Sequence, residues 1–61
     1  MKILPILVVE DDQDLLEAVC TTIQLSGYEA IPAANGQDAL NVIQMQPIGM
    51  VVSDVQMKPM D

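Results

Sequence analysis

A chain of 61 residues holds one small domain at most, because a chain of that size buries only about 60% of its unfolded surface and folds with little margin. The formal charge is −7, with Lys2 and Lys58 the only cations, which argues against direct contact with nucleic acid or an anionic membrane, since both need cationic surface. Cationic partners or metal ions are the natural complement.

Apolar residues make up 51% of the chain, yet Tyr28 is the only aromatic and five residues are methionine, so the core is expected to be aliphatic and adaptable. A single cysteine, Cys20, and no histidine leave neither an internal disulfide nor a Cys/His zinc site to staple the fold. A reducing cytoplasm is the expected setting. The apolar run from Ile3 to Val9 is too short for a signal-peptide core with its flanks and far too short to span a bilayer. A soluble protein follows.

In chain order, "ILPILVV" (residues 3–9) is a short continuous apolar run of branched residues ended by acids, the pattern of a strand covered on both faces. Pro5 stands near its start, where a missing N–H is tolerated. From Asp14 to Leu25, Leu15, Leu16, Val19 and Ile23 recur at helical spacing, and Ser26-Gly27 supplies a stop. Two starts compete for this helix: Asp12 as a direct cap, or Asp14 with Glu17 as a capping box. "YEAIPA" (28–33) predicts a second strand, with Pro32 at its end or on an edge. Asn35-Gly36 is a turn and a candidate cap for a second helix whose apolar face is Ala39, Leu40 and Ile43, with Pro47 beyond its end. Gly49 then opens "MVVSD" (50–54), another strand of buried type, ended by Asp54.

Alternating strands and helices with short connections predict an α/β fold, β-α-β-α-β, with a parallel sheet and right-handed crossovers. No repeat, linker or low-complexity tract interrupts it. In such sheets ligands bind outside the carboxyl ends of the strands, where strand order reverses. Glu10, Asp11 and Asp54 occupy those ends. If the first and third strands are neighbours, three carboxylates converge and raise one another's pKa unless a cation neutralises them. Mg²⁺ suits that position, because it prefers oxygen donors and is held by one or two carboxylates together with a phosphate group.

The segments "ILVVEDD", "ANGQDAL" and "VVSDVQMKPMD" resemble the first half of a response-regulator receiver domain of two-component signalling, over essentially the whole chain. Receivers are themselves a standing example of the switch-point rule. The resemblance implies a flavodoxin-like fold, here residues 1–61 as the N-terminal half of one receiver with strand order 2-1-3. It further implies that Asp54 is the phosphoacceptor, loaded by a sensor histidine kinase. Asp11 and Asp54 would ligate Mg²⁺ directly, Glu10 through water, and Gln56 through its backbone carbonyl. Phosphorylation would switch an output domain or partner protein, so the chain is a signalling receiver rather than an enzyme. Lys58 stands where many receivers carry a proline, here Pro59, and Gly49 where many carry an acid. The hydroxyl residue and lysine that receivers supply from later strands have no counterpart, since Ser53 and Lys58 are in the wrong places.

Taken singly, each feature has a plainer explanation. Acids after a strand are commonly a solvated helix start favoured by the helix dipole, and Asp12 and Asp14 are assigned that role. Glu10 and Asp11 point to a metal only in combination with Asp54. Cys20 and the methionines are packing residues. Two other functions compete: an aspartate-nucleophile phosphatase, disfavoured because Gln56 stands where such enzymes place a second acid, and a non-catalytic interaction fragment. In the order 2-1-3 the far edge of the third strand lacks a neighbour. The chain is therefore expected either to self-associate through that edge or to be the ordered part of a longer protein. "SDVQMKPMD" is most similar to receivers of bacterial transcriptional activators, whose DNA contacts would lie in a separate domain.

Overall fold

The computed structural model describes residues 3–53. Five elements follow in order: β1 (Ile6–Val9), α1 (Gln13–Leu25), β2 (Ala30–Ala33), α2 (Gly36–Met45) and β3 (Met50–Ser53). The strands form one parallel sheet in the order β2-β1-β3, with Ile6 level with Ala30 and Met50, and Val9 level with Ala33 and Ser53.

β1 begins at Ile6 rather than at Ile3. Ile3 and Leu4 are exposed, and Pro5 has no N–H for the ladder. The Ile6 amide makes the first bond to β2, donating to the Glu29 carbonyl at 2.8 Å. β2 begins likewise at Ala30 rather than Tyr28. Its bonds to β1 run through Glu29 and Ala33, so the alternate residue Pro32 turns its donorless nitrogen to the open side of an edge strand.

α1 starts at Asp12, which settles the two candidate starts. Asp12 Oδ1 accepts from the Leu15 amide at 3.1 Å, and no capping box through Asp14 and Glu17 is needed. The helix ends in a Schellman motif: the Gly27 amide donates to Gln24 and the Tyr28 amide to Ile23. Gly27 holds φ at +96°, a conformation that glycine adopts without strain. α2 is capped by Asn35, whose Oδ1 accepts from the Asp38 amide at 2.9 Å.

Adjacent residues of β1 point to opposite faces, and both are buried: Leu7 is fully covered and Val8 nearly so. Val8 packs with Leu16, Cys20 and Ala30 under α1, while Leu7 packs with Ala33 and Ala39 under α2. Full burial of each such side chain contributes about 1.5–3 kcal/mol. Helices on opposite faces follow from the strand order. One crossover runs from β1 to β2 and the next back past β1 to β3, so a common right hand places them on different sides.

Two expectations are corrected here. The buried face of α2 is formed by Ala39 with Val42, whereas Leu40 and Ile43 are 45% and 41% exposed. β3 carries the sequence of a buried strand, yet Met50 and Val51 are 58% and 44% exposed, because both described helices pack on β1 and β2 and neither on β3. Gly49, at the entrance to β3, has a local reason: its amide donates to the Pro5 carbonyl at 2.9 Å, and an added Cβ would stand 3.0 Å from the Leu4 Cβ. Among the described residues no helix is long and apolar enough to cross a membrane.

Candidate functional site

The acids lie where the strand order reverses. β1 is the central strand, the chain leaves it for β2 on one side and then crosses back past it to β3 on the other, and Glu10 and Asp11 follow directly on its carboxyl end. The Glu10 amide extends the ladder by donating to the Ala33 carbonyl at 3.0 Å, so its backbone is fixed to β2. Its side chain is only 8% exposed, and one carboxylate oxygen accepts from the Asp12 amide at 3.2 Å. Asp11, Asp12 and Asp14 are exposed.

The helix-start role expected of Asp12 and Asp14 is seen in the backbone. Asp12 caps α1 and Asp14 sits in its first turn, where the helix dipole favours negative charge. Glu10 is the acid held against the protein. The spacing of Glu10 to Asp12 carried a signal that sequence reasoning passed over, since an acid two residues before a cap can accept the cap's own amide.

Asp54 and Gln56 lie outside the described residues, as do both lysines. Among the described residues no group of three or more potential metal-binding side chains occurs, and two of the expected metal-binding acids, Glu10 and Asp11, are present. β3 runs level with β1 up to the pair Val9 and Ser53; Asp54 is the next residue in the chain.

The donors fit a hard divalent cation. They are carboxylate oxygens at the mouth of a sheet, the donor type such an ion prefers, and one of them belongs to the largely buried Glu10. Cys20 offers no competing chemistry, because burial pushes its thiol above the ordinary value and keeps it protonated.

Comparison with known proteins bears on the family. The model of the family described as the response regulator receiver domain matches residues 6–61. The chain is 38% identical over 56 residues to a probable transcriptional regulator, ycf27, of Cyanophora paradoxa, covering 92% of this chain and 23% of that protein. It is 39% identical to the response regulator protein FleR of Pseudomonas aeruginosa and 32% identical to the transcriptional regulatory protein GlrR of Escherichia coli, again over 92% of this chain but 12% and 13% of theirs. The chain thus spans less than a quarter of each of these relatives. No solved structure gives a significant match. A parallel β2-β1-β3 sheet wrapped by one helix on each face, acids at the end of its central strand and a family match over nearly the whole length agree, and the chain belongs to the response-regulator receiver domains.

Proposed function

We propose that residues 1–61 are the N-terminal, phosphoacceptor half of a receiver in which Asp54 takes a phosphoryl group from a sensor histidine kinase. The observation that supports this most directly is the register of β1 and β3. Val9 is level with Ser53, and in the sequence the residue that follows each of them is an acid, Glu10 and Asp54. Mg²⁺ would be held by Asp11 and Asp54 directly, by Glu10 through water and by the backbone carbonyl of Gln56, and when bound it would neutralise charge on the phosphoryl group. An Asp54 oxygen forms the new bond to phosphorus while the bond from phosphorus to the kinase imidazole nitrogen breaks. That nitrogen keeps the electron pair. Glu10, anchored through its amide and its carboxylate, orders the acidic end before the phosphoryl donor arrives.

The phosphorylated state would act on an output domain or partner protein. The transcriptional regulators among the relatives suggest gene control as the output, with nucleic acid contacted elsewhere than by this acidic segment, in the cytoplasm. The outer edge of β3 and the exposed Leu40, Ile43, Met50 and Val51 are surfaces for the remainder of the receiver; the isolated chain would use the same edge to self-associate. The direct test of the metal site is an Mg²⁺ titration followed by backbone amide shifts. Glu10, Asp11, Asp54 and Gln56 are expected to move together with one dissociation constant, and a titration that moves none of them would contradict the assignment.

A further inference from the structure

Resting on the Mg²⁺ site just proposed, the geometry points to Asp12 as a positioning residue for that site: it binds no metal, and its capping of α1 sets the affinity. Four hydrogen bonds meet in three residues. The Glu10 amide is tied to the Ala33 carbonyl of β2 at 3.0 Å, and the Asp12 carbonyl accepts from Leu16 at 2.9 Å. Between them, the Asp12 amide holds a Glu10 carboxylate oxygen at 3.2 Å and Asp12 Oδ1 holds the Leu15 amide at 3.1 Å. Asp11 is thereby clamped between a residue fixed to the sheet and a residue fixed to the helix.

Loss of the Asp12 cap frees the first turn of α1, and with it the amide that orients Glu10. The metal then has to order both, and its affinity falls by that cost. Coupling between two equilibria is reciprocal. Whatever the cap contributes to metal binding, the metal returns as stability of the first turn of α1.

The second helix supplies the controls. Asn35 caps α2 with an amide oxygen in the same arrangement, at 2.9 Å from the Asp38 amide, so Asp12→Asn keeps the cap and removes only the charge. Asn35→Ala removes a cap of the same kind away from the acids and reports any loss caused by general loosening.

The experiment is Mg²⁺ titration of the 61-residue chain followed by the Glu10 and Asp11 amide shifts. Asp12→Ala is expected to weaken binding about threefold to tenfold, with Asp12→Asn and Asn35→Ala within about twofold of the parent. In the parent, Mg²⁺ is expected to slow hydrogen exchange at Leu15 and leave Asp38 unchanged. Equal losses in Asp12→Ala and Asp12→Asn would assign the effect to charge and overturn the coupling, as would equal losses in Asp12→Ala and Asn35→Ala or an unmoved Leu15 amide. Those outcomes leave the metal site standing. Absence of any Mg²⁺ response in the parent would remove the metal site itself, and the coupling with it.

Discussion

Ser53 stands level with Val9 in the parallel pairing of β1 with β3, and this is the last pair of that ladder. A slip of one residue would turn every side chain of β3 to the other face. Neighbouring strands are about 4.8 Å apart, within the range a disulfide bridges. Val9→Cys combined with Ser53→Cys, in a Cys20→Ala background, is expected to form a bridge on mild oxidation. Val9→Cys with Val52→Cys is not expected to do so, and mass spectrometry of the oxidised peptides distinguishes the two.

Gly27 at φ +96° ends α1 by turning the chain into β2. An added Cβ meets no neighbour within 4 Å, so the cost of Gly27→Ala is conformational and is expected to be about 1–2 kcal/mol. Gly27→Asn, which tolerates this backbone region better, is expected to lose less. Urea unfolding of the two variants provides the comparison.

Cys20 gives the fold a dependence on alkaline pH. Burial raises its thiol above the ordinary 9.0, so between the unfolded and folded values the unfolded chain has released a proton that the folded chain retains. Stability is complete below pH 9 and declines as the pH rises through the folded value. Cys20→Ala, destabilised by about 1 kcal/mol at neutral pH through lost packing, lacks this decline. The gap between the two proteins is expected to narrow from pH 7.5 to pH 10.

The two edges of the sheet differ in protection. β2 carries Pro32 on its open side, whereas β3 reads Met-Val-Val-Ser with no charge and no proline, the features of an edge open to pairing. The isolated 61-residue chain is expected to sediment as an associated species. Met50→Lys, at a position 58% exposed, is expected to shift it toward monomer; a parent chain that sediments as a well-folded monomer contradicts this.

The order of elements, the parallel sheet and the Asn35 cap were legible from short-range signals, whereas Asp12 and Asp14 competed on equal terms for the start of α1. Apolar runs of strand length, Asn35 before Gly36, and glycine after α1 each act within a few residues. The boundaries were less so, because Ile3 and Leu4 are as apolar as Ile6 and Leu7, and only Pro5 and the partner strand decide where pairing begins. The face of α2 was misassigned because Leu40 and Ile43 are more hydrophobic than Ala39, yet the space above Leu7 and Ala33 admits a small residue. Burial of β3 could not be read locally, since it depends on what packs beside it. For the site, the position of Glu10 and Asp11 at the carboxyl end of β1 was legible from residue type and the end of the apolar run, while the bond from the Asp12 amide to Glu10 was passed over although the two residues stand at the spacing it needs.

The central claim is that Asp54 is a phosphoacceptor served by the acids at the end of β1. Its most direct test is Mg²⁺-dependent labelling by a small phosphodonor, on this chain and on a version extended through the later strands of the receiver. Labelling of the extended chain that requires Mg²⁺ and is abolished by Asp54→Ala is the predicted result. Labelling that survives Asp54→Ala would contradict it.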